Sequence, residues 1–150
     1  SSYQAMGEWL TSPETVTTLL KEGWTIKVHS IVVGGGAQAE TLQGLLYAMQ
    51  VLSPQIRLIV WLNDYFGPVI SPAGGDFETM KIYTENRGRL WGIIRLRMRG
   101  RETFVRDLMR MLARRQTFAE AIIHPDVQIT ARQRLTMLRR EIFGAISLVP

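Results

Sequence analysis

Residues 55–68, QIRLIVWLNDYFGP, decide the fold. The apolar run Leu58-Ile59-Val60-Trp61-Leu62, with Ile56 just ahead of Arg57, is as long as a buried strand and ends abruptly at Asn63-Asp64. Continuous apolar runs of this length, rather than alternating ones, mark strands covered on both faces, as in parallel sheets. A Gly-Pro loop follows. In open parallel sheets, ligands bind beyond the carboxyl ends of the strands. Asn63 stands at such an end, with an amide that donates and accepts at once. That pairing of functions suits the edge of a nucleotide base. The competing reading of Asn63-Asp64 is a local turn in which the side chain bonds nearby backbone.

Outward from this strand the pattern repeats. Thr11-Ser12-Pro13-Glu14 opens a helix, with Ser at the cap and Pro at the first position, and Gly23 stops it. Residues 24–33 carry Thr25, Ile26, Val28, Ile31, Val32 and Val33 and predict a strand. Gly34-Gly35-Gly36 follows. A helix is expected over about 37–52, with Leu42, Leu45, Leu46 and Met49 on one face. After the strand ending at Asn63, the loop 64–75 leads to a helix capped by Asp76 and running to about Asn86. A third strand spans 90–96. Three helices close the chain: 100–115, with Phe104, Val105, Leu108, Met111 and Leu112 inward; about 117–123; and 129–148, with Leu135, Leu138, Ile142 and Ile146 inward. Strands alternating with helices three times predict an α/β protein with a mostly parallel sheet and right-handed crossovers. No Pro/Gly/Ser-rich linker interrupts the 150 residues, so a single domain is expected.

Composition removes several function classes. There is no cysteine, which excludes disulfides, thiolate zinc sites and cysteine nucleophiles, and fits a reducing cytoplasm. No apolar run approaches the roughly 20 residues of a membrane span. The two histidines, His29 and His124, have no spaced ligand partners, and His29 reads as a core or edge strand residue. No GxSxG elbow and no carboxylate pair marks hydrolase chemistry. The four tryptophans read as core rather than as a base-stacking platform.

Charge is distributed unevenly. Residues 1–86 hold four basic and eight acidic residues, net −4; residues 87–150 hold fourteen Arg and five acidic residues, net +9. Arg suits bidentate phosphate contact. Arg106, Arg110 and Arg114 recur every four residues and share a helix face opposite Leu108 and Leu112. That face reads either as a nucleic-acid contact or as a solvated surface paired with Asp107 and Glu102. Arg95, Arg97, Arg99 and Arg101 alternate through the end of the third strand, on the same rim as Asn63, and Arg95 or Arg97 is placed to approach a nucleotide. Gly34, Gly35 and Gly36 precede a helix and invite a phosphate-loop reading. They match neither GxxxxGK[ST] nor GxGxxG, and a turn needing unusual backbone angles explains them as well.

The succession IKVHSIVVGGGAQAETLQGL, RLIVWLNDYFGPV, GDFETMKIY, ETFVRDLMRMLARRQTFAEA and ARQRL resembles the TraL-type conjugal transfer proteins of the ParA/MinD-like P-loop ATPase superfamily. The likeness runs over roughly residues 24–143. It implies a three-layer, P-loop-NTPase-like fold lacking its N-terminal strands, with this chain as the C-terminal portion. It implies ATP with Mg in the full-length protein, a full-length homodimer, conjugation-machinery partners and a plasmid-encoded bacterial cytoplasmic protein. The Gly-rich Lys–Ser/Thr loop and the metal-associated Asp of the family have no counterpart here, so the chain alone is expected not to hydrolyse ATP. What carries over is the base side: Asn63 against adenine, with Asp64 beside it, Arg95–Arg97 covering the base, and Gly34–Gly36 near the nucleotide. Two alternatives remain open: an Arg-rich nucleic-acid-binding module, and a non-catalytic interaction protein whose exposed sheet edge pairs with another chain.

Overall fold

A computed structural model describes residues 2–97 and 101–149 of the chain. These divide into two compact units, Ser1–Arg95 and Leu96–Pro150.

The first unit begins with two helices, α1 (Ser2–Thr11) and α2 (Pro13–Lys21). The sequence gives no clear sign of α1. It predicts α2 closely: Ser12 caps it by accepting from the Thr15 amide at 3.5 Å, and Gly23 leaves it at φ +83°. Then come β1 (Lys27–Val33), α3 (Gln38–Val51) and β2 (Arg57–Asn63). A short α4 (Lys81–Thr84) precedes β3 (Leu90–Leu96). The strands form an open, all-parallel sheet in the order β1-β2-β3, consistent with the three-layer α/β class expected from the sequence. β1 and β2 pair in register from Lys27↔Arg57 to Val33↔Asn63.

The central strand owes its place to its side chains. Leu58, Ile59 and Val60 are fully buried and Leu62 nearly so. Leu58, Val60 and Leu62 pack with Val32 of β1, Leu45 and Met49 of α3 and Val16 of α2 in one apolar core. Burying such side chains contributes about 1.5–3 kcal/mol each, enough to fix which strand sits in the middle.

The segment 76–89 departs from the single helix expected there. It is a 3-10 turn (Phe77–Thr79), then α4, then a second 3-10 turn (Arg87–Arg89). Met80 is extended, at φ −75° and ψ 145°. That break lets both Phe77 and Met80 reach the core, with the Phe77 ring edge-on to Tyr83 at 5.6 Å. Tertiary burial overrides a weak local helix preference set by Thr79, Ile82 and Thr84. Asp76 stands at the cap position, but its side chain makes no cap bond.

The tryptophans also depart from expectation. Trp9, Trp24 and Trp91 are exposed, and only Trp61 is partly covered. On the sheet face away from the core, Trp61 Nε1 donates to His29 Nδ1 at 2.7 Å and the Arg57 guanidinium stacks 4.2 Å above the Trp91 ring. His29 is an exposed residue of the edge strand β1.

The second unit is helical: α5 (Arg101–Ala113), α6 (Phe118–Ile123) and α7 (Ile129–Ser147). All three fall where the sequence placed them. Thr117 and Glu120 form a reciprocal capping box at the start of α6. Met111, Ala121 and Leu135 make a small core, flanked by Leu108, Phe118 and Ile122. Leu112 and Ile146, expected inward, are exposed at 55% and 40%. The unit is too small to cover a whole apolar stripe on each helix. α5 ends in a Schellman turn: Arg115 N donates to Leu112 O, and Gln116 N donates to Met111 O at 3.1 Å, with Arg115 at φ +52°.

Between α5 and α7, Arg134 Nε donates to Asp107 Oδ2 at 2.5 Å. The Asp107 side chain is 3% exposed, that of Arg134 25%. Removing the cation strands a buried carboxylate, so Arg134→Ala should destabilise the unit by about 3 kcal/mol. Replacing both partners, Asp107→Leu with Arg134→Met, should be nearly neutral. Denaturant unfolding of the variants checks the difference, and equal losses for the single and double changes would contradict it.

Candidate functional site

The candidate site is the rim where β1 and β2 end. Val33 pairs with Asn63, and one residue on, Gly34 N donates to Asn63 O at 3.1 Å. Asn63 is half-buried at the carboxyl end of the central strand, the position its sequence context indicated. The Val33 amide donates to Thr41 Oγ1 at 3.1 Å, tying the end of β1 to the first turn of α3.

The loop after β2 is fastened on three sides. Asp64 accepts twice: Gly67 N donates to its carbonyl at 3.1 Å, and Val69 N to its Oδ1 at 3.2 Å. This is the local-turn arrangement that the sequence left open for the Asn-Asp pair. Gln38, at the start of α3, clamps the same loop with both ends of its amide. Its Nε2 donates to Ile70 O at 2.6 Å, and Ile70 N donates to its Oε1 at 3.1 Å. Gln38 thereby holds backbone in the first unit, and nothing in the spacing of the sequence announces this.

The third fastening is steric. A Cβ on Gly34 would lie 2.0 Å from the Gly67 carbonyl oxygen. One on Gly35, whose φ is +77°, would lie 2.7 Å from the Phe66 carbonyl oxygen. Only glycine permits this approach of two backbones. Around Gly36 there is open space. Carbonyl oxygens therefore lie where a side chain on Gly34 or Gly35 would point.

Arg95, near the end of β3, forms an ion pair with Glu78, which the sequence did not single out. The guanidinium hydrogen-bonds the carboxylate and holds the Glu78 pKa below its ordinary value of 4.5. Glu78 in turn raises that of Arg95, with Asp76 and Asp64 adding to the effect through their charge. Arg95 thus sits in an acidic setting. A second anion must compete with Glu78 for it. Arg97 is exposed and belongs to the second unit. Arg99 lies outside the described residues, as do the side chains of Arg101 and Glu102.

The other candidate surface is on α5. Arg106, Arg110 and Arg114 are all exposed, and among the described residues none pairs with a carboxylate. Asp107, expected to balance them, is turned inward to Arg134. Among the described residues no group of three His, Asp or Glu side chains is placed to hold a metal ion. Among those residues, too, no helix is long and apolar enough to cross a membrane.

With this geometry in view, the chain can be compared with known proteins. It is 34% identical to an Escherichia coli protein named Protein TraL over 146 residues, 97% of its own length. It is 35% identical to a second E. coli protein of that name over 143 residues, or 95%. The chain spans about three fifths of these relatives, 60% and 59% of their lengths. Along that span it is similar to these proteins named TraL. No protein-family model matches the chain. No solved structure matches it either.

The glycine loop yields a test within three neighbouring residues. Gly34→Ala should cost about 3 kcal/mol, because the new methyl meets a fixed carbonyl. Gly36→Ala should stay within about 0.5 kcal/mol of the parent. Thermal or denaturant unfolding measures both, and equal tolerance at the two positions would refute the close-packing account.

Proposed function

We propose that this chain is the sheet-bearing, C-terminal portion of a conjugal DNA-transfer protein of the ParA/MinD-like kind, and that its strand-end rim supplies the adenine side of a nucleotide site. Asn63 carries the reading: an amide at the carboxyl end of the central parallel strand, where ligands of open parallel sheets bind. Adenine presents a ring nitrogen that accepts and an amino group that donates. One carboxamide answers both. The likeness to proteins named TraL supports the assignment to conjugation.

The residues present do not fit the phosphates and metal of ATP. Gly34 and Gly35 are packed against carbonyl oxygens, Asp64 is engaged by Val69, and Arg95 by Glu78. In this proposal the phosphate grip, the metal and the catalysis belong to residues outside those described, and the chain alone turns over no ATP. The close packing of Gly34 and Gly35 against the loop after β2 supports a part for them in joining the two rim loops. A homodimer and contacts with other conjugation proteins are part of the same proposal for the whole protein.

Selectivity tests this more cleanly than affinity. On the protein as encoded, Asn63→Ala should weaken adenine-nucleotide binding about tenfold, the worth of one or two hydrogen bonds. Asn63→Asp, which replaces the donor with a second acceptor, should shift preference toward guanine nucleotides. Calorimetry with ATP and GTP reads both. An unchanged adenine-to-guanine ratio in Asn63→Asp would exclude Asn63 as the base-reading group.

A second reading is favoured by the α5 surface. Three exposed Arg on one face, with no described carboxylate opposite them, suit the phosphate backbone of a nucleic acid. In the replacement of Arg106, Arg110 and Arg114 by Gln, DNA affinity should fall uniformly across sequences. The slope of log affinity against log salt should flatten by about one unit per Arg. A salt slope identical to the parent's would remove the reading.

A further inference from the structure

We infer that Phe66 and Ile70, on the loop after β2, form an apolar platform on which a purine base stacks beside Asn63, an inference that rests on the nucleotide reading of the strand-end rim. Both side chains stay at the surface, Phe66 65% exposed and Ile70 40%. The loop does have access to the core. Val69, next to Ile70, is only 4% exposed and belongs to the same apolar cluster as Leu62 and Phe77. One apolar side chain of the loop is thus turned inward and two are left outside.

The backbone explains where the two outer side chains start. Asp64–Phe66 is a 3-10 turn, closed by Gly67 N donating to Asp64 O at 3.1 Å. A Cβ on Gly35 would lie 2.7 Å from the Phe66 carbonyl oxygen and 3.5 Å from the Phe66 Cβ. The Phe66 side chain therefore leaves the main chain next to Gly35, where the ends of β1 and β2 meet. Asn63 stands three residues earlier, at the end of β2. Ile70 is held through its own peptide groups. Its N–H donates to Gln38 Oε1, its carbonyl accepts from Gln38 Nε2, and it bridges to Asp76 in antiparallel fashion. An apolar surface whose main chain is held in this way loses little entropy when a rigid ligand settles on it.

Single exposed apolar residues are ordinary and carry no meaning alone. Three features set this pair apart. It lies on the loop beyond the carboxyl end of the central parallel strand, the place where ligands of open parallel sheets bind. Space is left beside it: the position of a Cβ on Gly36, next to Gly35, has no described atom within 4 Å. The third feature is Asn63, a carboxamide that donates and accepts. A ligand that uses all of these must have a flat apolar face and a polar edge. A purine does, with its face on the Phe66 ring and its edge toward Asn63. An aliphatic ligand would leave Asn63 unanswered, and a sugar or a phosphate would leave the phenyl ring in water. The two roles divide cleanly. Stacking on an aromatic ring accepts any base, because every base has a π-face. Hydrogen bonding at Asn63 distinguishes adenine from guanine.

Calorimetry on the protein as encoded, with ATP, GTP and inorganic triphosphate as probes, separates the platform from the base reader. Phe66→Ala should weaken ATP and GTP by the same factor, about tenfold, the effect of one lost stack, with triphosphate binding as in the parent. Ile70→Ala should weaken both about threefold. Phe66→Trp should keep the parental affinity, and its added emission should be quenched by ATP and not by triphosphate. Because Phe66 is exposed, Phe66→Ala should hold the unfolding temperature within about 2 °C of the parent, which separates lost affinity from lost fold. Asn63→Asp completes the set through the ATP-to-GTP ratio. If Phe66→Ala binds both nucleotides as the parent does while Asn63→Asp shifts the ratio, the platform is overturned and the Asn63 reading stands. If Phe66→Ala weakens both equally while Asn63→Asp shifts nothing, the platform stands and Asn63 is not the base reader. If the parent binds neither nucleotide, both fall. An equal loss of triphosphate binding in Phe66→Ala overturns the platform, because the ring then acts on something other than the base. If Phe66→Ala changes only the sedimentation of the protein, the ring belongs to a contact between chains and base stacking is overturned.

Discussion

The burial of Leu58, Ile59, Val60 and Leu62 in β2 is the constraint that governs the first unit. Leu58 and Val60 point into the core shared with α3, while Ile59 is equally buried on the opposite face. In the sheet this strand lies in the middle. It is flanked by β1 and β3, and the helical crossovers between successive strands make the sheet parallel. Because β1 and β2 run parallel and in register, both end at the same level, and their following loops meet. The glycines, the Gln38 clamp and the Asp64 turn are answers to that meeting.

The elements with strong periodic or continuous patterns were legible from the residues alone: β2 from its unbroken apolar run, α3 from Leu42, Leu45 and Met49, and α6 from Thr117 three residues before Glu120. The illegible parts are those where long-range contacts choose among weak local preferences. Residues 76–89 break into three short pieces because Phe77 and Met80 both reach the core. Trp91 and Trp24 stay exposed although their size argues for burial, and the Trp91 ring is occupied by Arg57 instead. At the rim, the position of Asn63 was readable from the end of the run. The partners Gln38 and Glu78 were not, since each reaches a group more than fifteen residues away.

The two units differ in how they treat charge. Around β3 and the rim, acids dominate: Glu78, Asp64 and Asp76 surround Arg95. In the helical unit the acid with the deepest burial, Asp107, is spent on Arg134, and the α5 arginines are left facing solvent. The asymmetry of the sequence, net −4 over residues 1–86 and net +9 over 87–150, is therefore expressed as surface rather than cancelled by pairing. Counted by unit, residues 1–95 carry net −1 and residues 96–150 net +6, so the helical unit is the one that attracts polyanions.

The contact of Gly34 with Gly67 has a mechanical meaning. Two backbones that touch without intervening side chains have no rotamers to exchange and no slack to take up. With Gln38 gripping Ile70 from α3, the loop after β2 is riveted to the loop after β1. These contacts hold it against the neighbouring loop. Contacts of this kind set much of the shape of the rim during folding, which lowers the entropic cost of ordering it when something binds there.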